Sequence, residues 1–193
     1  LAVGRYGLSV EDLQDALPAP AGVRRVEGAN ARVVAGLVMR TTLSRGARVT
    51  LHLGPDEMPI QPTPDLETLL EVPAPLKVEL EALARGVTTG ALDPAAQARA
   101  VEQWLQSGFE YRLEVDLRGH APPLLIMLRE KRPAYCIYFA GAMALMLRTL
   151  GIRSRVVGGF VPEEVNPITG RAMVRERDAH AWVEAWIPQQ SRW

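Results

Sequence analysis

The run of 17 residues from Tyr135 to Gly151 constrains this chain more than any other feature. It reads Tyr-Cys-Ile-Tyr-Phe-Ala-Gly-Ala-Met-Ala-Leu-Met-Leu-Arg-Thr-Leu-Gly, and a helix drawn through it has no polar face before Arg148 and Thr149. A helix that is apolar all round belongs in the middle of a fold. At about 15 residues it is too short to cross a bilayer, which takes ~20. Gly151 marks its end, because glycine readily takes the left-handed conformation just past a last turn. Pro133 restrains the chain just upstream. Cys136, the sole cysteine, falls in the first turn. Unpaired N–H groups and the helix dipole favour negative charge there. A thiol so placed ionises more readily, and the thiolate is the nucleophilic form.

Such a helix needs a core around it. The chain has 193 residues, 48% of them apolar, enough for one domain with a smaller attachment. Acidic and basic residues balance at 22 each, which argues against nucleic acid or an acidic membrane surface as the main partner. One cysteine excludes an internal disulfide framework and a Cys-rich zinc site. No signal peptide or membrane-spanning run is visible. With Leu1 first and Trp193 last, the sequence reads as a piece of a longer protein.

Residues 1–60 read as a small β-containing lead-in and residues 65–193 as the main core. Ser9 and Asp12 resemble a capping pattern and predict a short helix to about Leu17. The texture of residues 32–42 and the alternation of residues 49–53 predict two strands, with Ser44-Arg45-Gly46 as the hairpin turn. Pro55, Pro59, Pro62 and Pro64 then mark a boundary. Helices are expected over residues 75–85, with Gly86 beyond the end, then from Asp93-Pro94 to Ser107-Gly108, and over 123–130. Residues 109–115 alternate like a strand, and 153–160 and 174–187 carry two more. The last of these puts His180, Trp182, Glu184 and Trp186 on one face, and Ala181, Val183, Ala185 and Ile187 on the other.

A thiol at a helix start with a histidine on a later strand is an arrangement for nucleophilic catalysis. The imidazole takes the thiol proton, and a third group orients the imidazole. Residue type alone leaves the alternatives open. A lone cysteine in an apolar helix is commonly an inert core residue, and a lone strand histidine is commonly structural.

From about residue 64 to residue 193 the chain resembles the transglutaminase-like superfamily of papain-fold thiol enzymes. The likeness is carried by Cys136-x-Tyr138-Phe139-Ala140, by Leu147-Arg148-x-x-Gly151-Ile152-x-x-Arg155-Val156-Val157-x-Gly159-Phe160, and by Asp178-Ala179-His180-Ala181-Trp182-Val183-Glu184. Trp104-Leu105, Phe109-x-Tyr111 and Leu124-Leu125 add to it. It is most similar to the bacterial branch found as extracytoplasmic domains of membrane-anchored proteins. The resemblance implies an α+β papain-like fold, with the Cys136 helix packed on an antiparallel sheet that carries His180. It implies Cys136 as nucleophile, His180 as base, and a thioester formed from a glutamine side chain or peptide-like amide. An amine or water then attacks that thioester. No cofactor and no metal is required. The implied partner is a protein or peptide substrate associated with the cell envelope, without nucleic acid and without membrane contact by these residues.

Three departures accompany the likeness. Ala134 stands where glycine is common, and Ile137 where the bacterial branch often has a polar residue. The family's triad aspartate falls beyond Trp193, so the residues in hand are expected to fold but to have weak activity.

Other side chains have paired readings. Trp182 and Trp186 wall a substrate groove or pack at the core rim. Tyr135 and Tyr138 supply a hydroxyl near the thiol, or Tyr138 packs in the helix. Trp182 and Tyr135 are the substrate-binding candidates. Asp178 reads as structural, Glu184 as the partner of an arginine, and Arg148 and Arg155 as ion-pairing residues. Glu163 and Glu164 read as solvated rather than cation-binding. The Cys136 N–H is the one oxyanion donor that can be named. Two further readings stay open. One is a catalytically silent module that binds peptide or cell-wall material. The other is a cysteine peptidase using the same site.

Overall fold

The computed structural model describes residues 67–161, 164–168, 172–173, 175–191 and 193, and the backbone of six strands between residues 5 and 53. Two compact units divide the chain, residues 1–59 and 60–193. The first holds β1 (Arg5–Ser9), β2 (Ala16–Leu17), β3 (Val23–Glu27), β4 (Ala31–Val34), β5 (Val38–Thr41) and β6 (Arg48–Leu53). They form two antiparallel three-stranded sheets, ordered β1-β6-β3 and β2-β5-β4.

Two expectations fail in this unit. The helix expected from Ser9 to about Leu17 is not seen at either described end: Ser9 pairs with Arg48, and Leu17 pairs with Met39. Residues 10–15 lie outside the described set. At those two ends, pairing with strands distant in sequence takes the place of the expected helix. The hairpin about Ser44-Arg45-Gly46 is also absent as drawn, because β5 pairs with β2 and β4 while β6 pairs with β1 and β3. The run 32–42 instead folds back on itself, with Val34 opposite Val38. Residues 42–47, and the prolines from Pro55 to Pro64, fall outside the described residues.

The second unit opens with a 3-10 turn (Thr68–Leu70) and continues with α1 (Ala74–Val87), α2 (Pro94–Gly108), α3 (Pro123–Glu130) and α4 (Cys136–Thr149). Then come β7 (Ser154–Phe160), β8 (Glu164–Val165), β9 (Ala172–Met173), a 3-10 turn (Glu176–Asp178) and β10 (Ala179–Ala185). Asp93 caps α2 as its sequence suggests: the Ala96 N–H donates to Asp93 Oδ1 at 2.8 Å. Pro94 follows at the first helical position, where a missing N–H costs nothing. α1 does not stop before Gly86. It runs on to Val87, and the left-handed residue is Gly90, at φ 85°. The Thr88 hydroxyl donates to the Ala84 carbonyl at 2.7 Å and secures the last turn.

α4 is the centre of this unit. It packs against α1, α2, α3, β7 and β10, and Ile137 is its only exposed residue. Leu80 and Ala84 of α1, Val101 and Leu105 of α2, and Leu125 to Leu128 of α3 close around Ala142, Met146 and Leu147. Gly151 follows at φ 78°, as the stop signal requires. The fully buried Ser154 donates its hydroxyl to the Ala144 carbonyl at 2.8 Å. Arg148, expected to form an ion pair, instead donates to main-chain carbonyls, those of Ser154 at 2.9 and 3.1 Å and Glu71 at 3.0 Å. The carbonyls of Ser154, at the start of β7, and of Glu71, after the first 3-10 turn, need donors, and the guanidinium supplies them.

Residues 109–115 form no strand. A single parallel bridge joins Tyr111 to Ala134, with the Arg112 N–H donating to the Ala134 carbonyl at 2.9 Å and the Ala134 N–H donating to the Glu110 carbonyl at 3.1 Å. Pro133 has no N–H with which to continue the ladder, and Leu113 is 73% exposed, so nothing covers a second face. β7 and β10 pair antiparallel, with Phe160 opposite Ala179 and Ser154 opposite Ala185. The α+β class and the helix-on-sheet arrangement are therefore present. No helix among the described residues is long and apolar enough to cross a membrane.

The energetics of the centre can be measured against those of a helix end. Met146→Ala, at a side chain with no exposure, is expected to cost about 2–5 kcal/mol, and Asp93→Ala about 1 kcal/mol. Urea unfolding of both variants tests this. Equal losses would show that α4 is not the centre of the core.

Candidate active site

Cys136 is the first residue of α4 and is half-buried. Its position follows from the apolar sequence after it: once α4 is buried, only its first turn remains near the surface. The N–H groups of Tyr138 and Phe139 already donate to the Tyr135 carbonyl, at 2.9 and 3.4 Å. Tyr135 sits at the N-cap without a side-chain cap bond. Its ring meets Tyr138 edge-on at 5.1 Å between centroids, and Tyr138 packs against the core.

His180 is exposed on β10, directly opposite Gly159 of β7. β10 in turn packs on α4, which places the histidine strand against the cysteine helix. Among the described residues no hydrogen bond joins Cys136 to His180, and the His180 ring has no partner. Of the two expected substrate-binding residues, Trp182 lines the cleft beside His180, whereas Tyr135, at the N-cap of α4, does not line it. Trp182 follows His180 on the same strand face and is 37% exposed. A Cβ on Gly159 would come within 2.6 Å of the Trp182 ring, so the indole lies across β7 where only glycine leaves room.

A cleft of about 800 Å³ runs along this face, lined by Tyr111, Phe139, Met143, His180, Trp182 and Trp193 among others. Tyr111 entered the sequence reading only as part of the Phe109-x-Tyr111 likeness, with no role of its own. Its ring stacks on Phe139 at 6.1 Å and 21°. Burial, then the charge of nearby Cys136, push the Tyr111 phenol up. The signal available in the sequence was Phe109 and Tyr111 at one alternation parity, just ahead of the cysteine helix.

The neighbouring charges have structural tasks. Glu184 faces Arg155 across the two strands, and the Arg155 Nε donates to Glu184 Oε2 at 2.7 Å. The other side of that guanidinium stacks on the Trp193 ring, 4.2 Å from its centroid, and Trp186 meets Trp193 edge-on at 5.5 Å. Asp178 is buried, and its Oδ2 accepts the Arg175 N–H at 2.7 Å. That contact closes the turn ahead of β10. Glu164 is engaged rather than free: it pairs with Arg175 and Arg177, each at 2.8 Å. The Arg175 hydrogen bond and the charge of both arginines hold its carboxyl below the usual range. Glu163 lies outside the described residues. Among the described residues no group of three or more His, Cys, Asp and Glu could hold a metal ion.

Comparison with known proteins gives the family and the fold likeness. The family model of the transglutaminase-like superfamily matches residues 81–193. A protein-glutamine gamma-glutamyltransferase of Pseudomonas aeruginosa is 38% identical over 96 residues, which are 50% of this chain and 14% of that protein. The uncharacterized protein YebA of Bacillus subtilis is 29% identical over 128 residues, 63% of this chain and 17% of that protein. The chain thus spans less than a fifth of the length of these relatives. The periplasmic domain of TgpA from Pseudomonas aeruginosa aligns with a TM-score of 0.78 at 27% identity, over 96% of this chain and 66% of that one. The same domain bound to ethylmercury gives 0.76 at 26%, over 96% and 68%.

The close approach of Trp182 to Gly159 can be probed directly. Gly159→Ala is expected to displace the indole and shift its N–H resonance in a proton–nitrogen spectrum, with the β7–β10 amide resonances largely kept. An unmoved indole signal would mean that the ring does not rest on Gly159.

Proposed function

The chain belongs to the transglutaminase-like superfamily, and on that footing we propose that it is a thiol acyltransferase or hydrolase acting on glutamine side chains or other peptide-like amides. The observation that carries this reading is the packing of β10, with His180 at its second residue, against the helix that Cys136 begins. His180 takes the thiol proton, and the Cys136 sulfur attacks the amide carbonyl. The Cys136 N–H receives the negative oxygen of the tetrahedral intermediate. Collapse of that intermediate breaks the C–N bond, with the His180 imidazolium protonating the departing ammonia or amine. The resulting thioester is then attacked by an amine or by water, with His180 as base. None of these steps calls on a cofactor.

Trp182 and Tyr135, flanking the histidine and the cysteine in sequence, are assigned to the substrate chain. In this reading the carboxylate that orients His180 comes from outside the described residues, since Asp178 is committed to the Arg175 N–H. The substrate is a protein or peptide of the cell envelope, and the domain works outside the cytoplasm. The support for both is the likeness to a periplasmic domain and to a protein-glutamine gamma-glutamyltransferase.

The deciding assay follows ammonia release from a glutamine-containing peptide, with and without a primary amine. Incorporation of the amine is expected, and its absence alongside hydrolysis would mark an amidase or peptidase. Cys136→Ala should bring turnover to background, and His180→Ala should lower it by about a thousandfold or more. At pH 7 iodoacetamide should alkylate Cys136 at least about tenfold faster in the wild type than in His180→Ala. Turnover that survives Cys136→Ala would sink the proposal. No turnover, with alkylation indifferent to His180, would leave a binding module.

A further inference from the structure

Three observations place the Tyr111 side chain at the start of α4. The bridge to Ala134 fixes its backbone two residues ahead of Cys136 in the neighbouring strand of chain. Its ring stacks on Phe139, which lies three residues after Cys136 and so on the same helix face. Phe139 is itself held edge-on by Phe109, and Phe109 by Trp104 of α2, at 6.4 and 5.0 Å. A row of rings therefore anchors Tyr111 from the helical side. The open side of the residue faces the cleft that His180 and Trp182 also line.

We propose that Tyr111 is a catalytic residue of this site: its phenolic hydroxyl donates a hydrogen bond to the Cys136 sulfur in the free protein and to the substrate oxyanion in the tetrahedral intermediate. The inference rests on the function proposed above and deepens it. When the C–S bond forms, the carbonyl π pair moves to oxygen, and that oxygen lies one bond from the carbon joined to Sγ. A donor beside both Sγ and the Cys136 N–H is within reach of it. When the intermediate collapses, the pair returns, the C–N bond breaks, and the proton for the leaving group comes from His180. Tyr111 keeps its own proton throughout. The upward push on its phenol keeps it a donor at neutral pH, and a donor to a charged acceptor makes the stronger class of hydrogen bond. Tyrosine suits the task because the ring packs while its tip stays polar.

The test is Tyr111→Phe, which keeps the ring on Phe139 and removes only the hydroxyl. With folding checked by circular dichroism, the pH–rate profile for alkylation of Cys136 should move up by about one unit. The kcat for the glutamine peptide should fall by on the order of a hundredfold with KM nearly unchanged. A role confined to packing would move neither quantity, so an unchanged profile and kcat in a folded Tyr111→Phe protein overturn the inference. Cys136→Ala and His180→Ala are run beside it. If they lower turnover as expected while Tyr111→Phe leaves both kcat and the alkylation profile unchanged, this inference fails and the proposed function stands. If Cys136→Ala remains active, the proposed function itself has failed and the inference with it. Should Tyr111→Phe not fold, the phenolate absorbance of the wild type decides. One tyrosine should titrate at lower pH once Cys136 is alkylated and its charge removed, and no change overturns the inference.

Discussion

A helix without a polar face has one stable place, which is inside, and the second unit of this protein is arranged to provide it. α4 touches three helices and two strands, and its small residues Ala140, Ala142 and Ala144 are buried among them. Burial of such a surface is the dominant favourable term in folding, and here it also sets geometry. If the body of α4 is enclosed, its first turn must reach the boundary of the core, and that turn holds the only thiol. The placement of the nucleophile is thus a consequence of where a hydrophobic segment stops.

Polar groups then fix what burial alone leaves loose. Ser154 and Arg148 tie the far end of α4 to the start of β7, which sets the height of the sheet against the helix. Register does the rest: with Ser154 opposite Ala185, His180 must face Gly159 and Trp182 must face Val157. Arg155 bridges Glu184 and the face of Trp193, clamping the part of the sheet away from His180. The Arg155–Glu184 pair is three-quarters shielded on each side, so its role is better described as holding alignment than as a source of net stability.

Much of this was legible from the residues. The bounds of α4, the left-handed Gly151, the Asp93 cap and the alternation of β10 follow from rules that act within a turn or two of chain. The failures share one cause. Alternation at residues 109–115 looks the same whether or not a partner strand exists, and only Ala134 was there to pair. Capping residues at Ser9 and Asp12 could not announce that Arg48 would claim Ser9. The run 32–42 could not reveal that it would bend back on itself. Arg148 carried a charge and was read as one half of an ion pair, although its work is to donate to carbonyls. Within the site, Cys136 and His180 stood out by chemistry. Tyr111 did not, because its relevance depends on a bridge and a ring stack that join residues some 25 positions apart (Tyr111 to Cys136).

That bridge also divides the molecule mechanically. α4 is secured by contacts on every side, whereas Tyr111 is held to the cysteine strand by two main-chain bonds and one ring face. Segments with few buried contacts and little regular ladder open at lower free energy than the core around them. Warming should therefore free the tyrosine from the thiol while the helices are still intact. The site then has a thermal limit of its own, below that of the fold, and Tyr111 leaves the start of α4 before the protein loses its shape.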